Sequence, residues 1–321
     1  MYQTETLLRR QLRVHYPAGR GRIVLRTELD WEQDVAPILV SDDGDTTTFA
    51  LETRRPFLYF KTCLQANDGG VLWSVGPNML ALMTTDGVGD IYPYFEGAET
   101  GSFSPLVERD SAILGRKHRV RVYLPAGYAE NPLRRYPVFY MQDGGNLFFP
   151  EEAFMGREWR VDELLSLLDS MNAVERAIVV AVYSGDRMSE YTKPGYEAYA
   201  RSVVEEIRPE VVRRFRVFDS PTETGVIGSS LGGVVSFGIS TTTSGVMPLP
   251  WIERPFGVKY LAVVSRRPEP SDSGMIVCTE PLPNVWVPMI VARPQSWSAP
   301  ATISEAEALP WFTSTTIGIC E

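Results

Sequence analysis

A chain of 321 residues with 44% apolar, 22% charged and 11% aromatic positions can build one large core or two ordinary ones, and it is neither disordered, collagenous nor a disulfide framework. Its 31 Lys and Arg against 40 Asp and Glu leave a net charge of −9, which disfavours nucleic acid, whose binding needs clustered positive charge. Only two histidines, His15 and His118, are present, so metal and general-base chemistry are narrowly bounded, and no metal or other cofactor is expected.

Residues 1–22 read as a leader in which Arg9, Arg10, Arg13, Arg20 and Arg22 crowd together, a pattern that is ordinarily a solvated face. The leader lacks the continuous apolar stretch of a signal peptide, and no run of about 18 apolar residues occurs in the chain, so no membrane partner is expected. Cys63, Cys278 and Cys320 are odd in number and far apart, which fits buried thiols in a reducing, cytoplasmic protein.

From residue 23 to 104 short alternating or aromatic runs (46–51, 57–64, 70–75) are separated by turn clusters at 41–45, 65–70 and 85–90, and such spacing predicts a small β-sandwich. A second region, 105–240, changes pattern. Residues 119–125 alternate as a strand, and 136–141 and 177–183 read as strands buried on both faces. Between them 158–169 carries Trp159, Val161, Leu164, Leu165 and Leu168 at helical spacing. A helical stretch at 196–215 is expected to bend near Pro209, and the short strand 224–228 follows it. Strands alternating with helices predict an α/β fold with a mostly parallel sheet, and the boundary between the two regions is expected near 100–112.

Gly228-Ser229-Ser230-Leu231-Gly232 fits G-x-S-x-G between a buried strand and a helix-compatible run, which is the setting of a nucleophile elbow. A serine on so tight a turn takes a strained backbone, and side chains at the flanking glycines would collide with strand and helix. Ser230 is then the candidate nucleophile, with the Leu231 N–H aimed at a developing oxyanion. The loop MQDGGNLF (141–148), directly after a buried strand, is where a second backbone oxyanion donor would sit. The competing explanations are a glycine-rich packing turn for the first and an ordinary tight turn for the second.

The runs HRVRVYLPAGY, YPVFYMQDGGNLF, EWRVD, AIVVAVY, DRMSEYT (186–192) and VIGSSLGGVVSF, in order from about 114 to 237, resemble the esterase branch of the α/β-hydrolases. That branch includes enterochelin esterases, S-formylglutathione hydrolase-like (esterase D-like) enzymes and feruloyl-type esterases. The region before it, with FKTCL and WSVGPN (73–78), looks like the immunoglobulin-like or carbohydrate-module-like domain that precedes some members. The resemblance implies a serine carboxylic-ester hydrolase acting on a small-molecule ester, with Ser230 as nucleophile and the Leu231 and Gly145 amides as oxyanion hole. Arg187, Glu190 and Tyr191 match a family loop near the site and are substrate-binding candidates, with an ordinary solvated loop as the alternative. No pocket-lining pattern selects one ester, and nothing in the sequence specifies an oligomeric state.

The family order is Ser, then acid, then His, yet no histidine follows Ser230. Residues 241–321 hold 11 of the 24 prolines and one short helical fragment at 304–309, so this region is expected to complete the hydrolase domain poorly. A reading frame shifted beyond about Phe237, a divergent C-terminal region in a non-catalytic binder of a small molecule or carbohydrate, and an enzyme with another base such as Lys259 are the competing explanations. Residues 258–265 could form a late strand, with Asp272 in the acid position.

Overall fold

The computed structural model describes residues 6–66, 69–85, 87–242 and 261–264. They fall into two compact units, one from Met1–Ser102, Leu124–Arg135 and Asp162–Arg176, the other from Phe103–Tyr123, Tyr136–Val161 and Ala177–Glu321. Asp272 and Lys259 lie outside the described residues.

The first unit carries β1 (Leu8–His15), β2 (Arg22–Thr27), β3 (Asp30–Val35), β4 (Pro37–Val40), β5 (Thr46–Thr53), β6 (Phe57–Gln65), β7 (Val71–Trp73), β8 (Met79–Leu82) and β9 (Val88–Ile91). They form a four-stranded sheet, β4-β5-β1-β9, and a five-stranded sheet, β3-β2-β6-β7 with β8 paired to β6. Leu12, Val14, Phe49 and Leu51 from the first sheet and Leu25, Leu58, Phe60 and Ala81 from the second share one buried cluster. Period-two alternation contributes to this in β1, where Leu12 and Val14 are buried and Gln11 and Arg13 exposed.

Two differences from the sequence expectation stand out here. The segment taken as a leader contains β1, whose arginines at 9 and 13 point out while Leu12 and Val14 are buried. Likewise the cluster 85–90 read as a turn contains the start of β9, which runs parallel to β1 with Gly89 opposite Leu12. A Cβ at Gly89 would lie 2.9 Å from the Leu12 side chain, so the glycine marks close packing rather than a turn.

The second unit contains β10 (Ser102–Phe103), which begins at the boundary, then β11 (Val107–Ser111), β12 (Arg116–Leu124) and β13 (Val138–Met141). Next along the chain come α1 (Val161–Ser170), β14 (Ile178–Tyr183), α2 (Arg187–Tyr191), α3 (Tyr196–Ser202), α4 (Arg208–Arg214), β15 (Thr224–Ser229), α5 (Leu231–Thr242) and β16 (Leu261–Val264). After Val161, α1 belongs to the first unit. The sheet order is β10-β12-β14-β13-β15-β16 with β11 on β12. β14-β13-β15 is parallel; β12 runs antiparallel to β14, and β16 antiparallel to β15. The expected mostly parallel sheet is therefore a parallel centre with antiparallel flanks, as hairpin-joined strands such as β11 and β12 must be.

The bend expected near Pro209 is a single π-helical turn, Val203–Ile207, between α3 and α4, with Pro209 in the first turn of α4. A proline there lacks only an N–H that a helix start leaves unpaired. The helix expected from 158 starts at 161 instead, because Arg160 holds a positive φ of 54°. α5 runs over Leu231–Thr242. Among the described residues no helix is long and apolar enough to cross a membrane.

Candidate active site

β15 is buried over its middle and ends at Ser229; α5 begins two residues later, and Ser230 between them holds φ +57°. A non-glycine residue in this left-handed region stores strain that the surrounding structure must hold. The flanking glycines make the turn possible. A Cβ at Gly228 would lie 2.2 Å from the Gly232 carbonyl oxygen, and one at Gly232 would lie 2.9 Å from an Asp143 carboxylate oxygen. The Ser230 carbonyl accepts from the N–H groups of Gly233 (2.9 Å) and Val234 (3.2 Å), which fastens the turn to the first turn of α5. Leu231 is the first residue of α5, so its N–H is among those without an intrahelical partner, at the positive end of the helix dipole.

The second donor loop follows β13. Gln142 donates its N–H to the Ile227 carbonyl of β15 (2.8 Å), and its side-chain oxygen accepts from the Tyr199 hydroxyl (2.6 Å). Asp143 is buried with φ 57° and ψ 46°, and it precedes a 3-10 turn, Gly144–Asn146. Among the described residues no hydrogen bond takes up the amide of the half-buried Gly145. A Cβ at Gly144 would lie 2.7 Å from the Tyr183 ring, so the loop turns flat against β14.

The α2 segment meets this loop. Arg187 donates from Nε to Asp143 Oδ1 (2.7 Å) and from Nη2 to Oδ2 (3.0 Å), and Nη2 also reaches the Ser229 carbonyl (3.3 Å). The hydrogen bond to Asp143 raises the Arg187 pKa above its ordinary value, and burial opposes it. Tyr191, fully buried, accepts the Asp143 N–H on its hydroxyl at 3.1 Å, and burial pushes its pKa up. Glu190 is buried too: both its oxygens face the Arg116 guanidinium, one at 2.7 Å, and it accepts the Gly185 N–H at 2.8 Å. Of the three sequence candidates on this segment, Arg187 is therefore bound to the donor loop, Tyr191 supports it from below, and Glu190 anchors α2 to β12. The Asp143–Arg187 pair was missed in the sequence; the DG dipeptide after a buried strand was the available signal for Asp143 alone.

Both histidines face carboxylates. His118 is 1% exposed with Nε2 3.2 Å from Glu206, which also accepts from the Ser111 hydroxyl (2.5 Å) and the Ile113 N–H (3.1 Å). His15 faces Asp90 (2.7 Å) and Thr46 (3.0 Å) and stacks on Tyr92. Among the described residues no group of three or more metal-ligating side chains comes together.

Comparison with known proteins adds the following. Residues 111–244, less than half of the chain, match the family model Esterase, described as "Putative esterase". The uncharacterized protein YbbA of Bacillus subtilis is 29% identical over 125 residues, covering 37% of this chain and 48% of that protein, so the chain spans about half the length of this curated relative. Similar solved structures include the CE1 ferulic acid esterase of Anaeromyces mucronatus (19% identity, TM-score 0.38, 47% of this chain and 58% of that one). They also include the enterobactin hydrolase IroE (22% identity, TM-score 0.35, 47% and 62%) and the enterobactin esterase of Shigella flexneri (14% identity, TM-score 0.32, 76% and 68%).

Proposed function

We propose that this chain, whose residues 111–244 match the Esterase family model and whose second unit has an α/β-hydrolase-like fold, is a carboxylic-ester hydrolase that reacts through Ser230. The observation that carries the reading is Ser230 at φ +57° on the strand-to-helix turn, with its flanking glycines in backbone contact. The Ser230 hydroxyl oxygen attacks the ester carbonyl carbon of a small-molecule substrate. The tetrahedral oxyanion is met by the Leu231 and Gly145 amides, the alcohol departs, and water releases the acid from the acyl-serine. Asp272 is the proposed acid. The base has no assigned residue, since no histidine follows Ser230 in the sequence.

That gap sets the expected rate. Loss of a triad histidine costs on the order of 10⁶ in kcat, while binding and the oxyanion hole keep roughly 10³ to 10⁴ over water. Slow acylation of Ser230 by activated esters, with turnover only marginally above background, is therefore expected. We place the protein in a reducing, cytoplasmic setting on its sparse cysteines, with Cys63 buried and free. The first unit, with two sheets on one core that includes β1, is proposed to be an immunoglobulin-like or carbohydrate-module-like sandwich.

A second reading, a binder without turnover, is favoured by one observation: both histidines are held by carboxylates, His15 by Asp90 and His118 by Glu206. Incubation of the full chain with an aryl fluorophosphonate or p-nitrophenyl acetate, followed by peptide mapping, separates the two. Modification of Ser230, absent in Ser230→Ala, is the expected outcome; an unmodified Ser230 after prolonged exposure rules out the hydrolase reading.

A further inference from the structure

The segment Arg187–Tyr191 was expected to offer its side chains to substrate, but its arginine is spent on the protein. Two left-handed non-glycine residues, Asp143 and Ser230, flank the site, one in the donor loop and one at the elbow. Each is a strained conformation that relaxes unless it is held. The Asp143 carboxylate is buried, and one of its oxygens would be 2.9 Å from a Cβ at Gly232, so it lies directly over the first turn of α5. The Arg187 fork takes both carboxylate oxygens and, from the same Nη2, the carbonyl of Ser229, the residue before the nucleophile.

Because a bidentate guanidinium–carboxylate pair fixes direction as well as distance, this contact sets the separation of the two oxyanion-donor segments. The base of the fork is itself fixed. Asp186 caps α2 by accepting the Met188 N–H at 3.1 Å, Arg116 holds Glu190, and the Tyr191 hydroxyl accepts the Asp143 amide.

We propose that Arg187 and Asp143 are positioning residues that hold the Gly144–Asn146 donor turn at a fixed distance from the Ser230 elbow, and that Arg187 does not bind substrate. The idea rests on Ser230 being the reacting group. Its geometry, however, can be tested whether or not Ser230 reacts.

Two measurements on the full chain decide it. In saturation kinetics with an aryl fluorophosphonate, Arg187→Gln and Asp143→Asn are expected to lower the maximal rate of Ser230 modification on the order of 10²-fold, with the half-saturating concentration unchanged within about twofold. Arg187→Lys, a point charge without the fork, is expected to recover only part of the rate. In hydrogen exchange, both variants are expected to speed exchange on the order of tenfold in peptides spanning 142–148 and 227–233 while leaving 178–183 unchanged. A raised half-saturating concentration at an unchanged maximal rate would make Arg187 a substrate contact and overturn the proposal. So would exchange unaltered at both segments, or raised equally at 178–183. If the wild-type chain is not modified at Ser230, the hydrolase reading fails, and the exchange measurement still decides the positioning role.

Discussion

His118, buried and 3.2 Å from Glu206, couples the stability of the chain to pH. Burial, and then the neighbouring Arg116 charge, push its pKa below the ordinary histidine value, against the opposing pull of Glu206. The folded chain therefore resists protonating it, while the unfolded chain takes the proton near the unperturbed value of about 6.5. Below that pH the unfolded state binds more protons, so stability falls as pH drops from about 6.5 to the folded pKa, by at most about 1.4 kcal/mol per pH unit. Glu206 acts in a separate window. Burial raises its pKa, but hydrogen bonds from Ser111, Ile113 and His118 outweigh that and lower it, so its contribution is lost only below the ordinary glutamate range. Urea unfolding of the wild type and His118→Gln at pH 7.5, 6.5 and 5.5 is expected to give a steeper loss in the wild type; parallel slopes would contradict the assignment. At this scale Ser230 was legible because its glycines are neighbours in sequence. The Asp143–Arg187 pair was not, because its partners are 44 positions apart and meet only after the sheet has formed.

Elements were legible in proportion to how completely they are buried. β14 reads IVVAVY with all six residues buried, lying between β12 and β13, so its apolar run declared it. β1 was hidden because its arginines look like a basic leader when only composition is weighed, although period two places Arg9 and Arg13 on the solvent face. β4 is exposed at every position on the edge of its sheet, and β9 carries Gly and Asp, so neither shows strand periodicity. The same contrast sets a stability order. Ile178 is fully buried, and Ile178→Ala should cost about 2–5 kcal/mol through lost burial and a cavity. Leu39, 63% exposed on β4, should change stability by less than about 0.5 kcal/mol when replaced by Ala. Denaturant midpoints of the two variants check this, and equal losses would refute the burial argument.

At the scale of the whole molecule, the chain does not divide where composition changes. The strand pattern does shift near 100, but 124–135 and 162–176 return to the first unit, which a linear reading cannot anticipate. Residue pairs within that unit explain the return. The Glu130 carboxylate accepts from the Tyr16 hydroxyl (2.7 Å) and from the Phe95 and Glu96 amides (both 2.8 Å). Asn131, 2% exposed, donates to the carbonyls of His15 and Pro93, each at 2.9 Å. Asn172 reaches the Asn78 carbonyl at 2.9 Å, and the Arg176 guanidinium lies over the Tyr94 ring.

These bonds make 124–135 a plug in the first unit rather than a linker in the second. Asn131→Ala leaves the half-buried His15 and buried Pro93 carbonyls without this donor, a loss of about 2 kcal/mol on the usual scale for such groups. A protease nick in the exposed bends at 96–100 should behave accordingly. Denaturing gels are expected to show two fragments, while native gel filtration keeps them in one particle, because the C-terminal fragment still carries 124–135 and 162–176. In nicked Asn131→Ala protein, part of that retention should be lost at moderate urea. An N-terminal fragment that elutes alone from the nicked wild type would mean that these segments do not hold the first unit together, and the boundary near 100 would then be a true domain border.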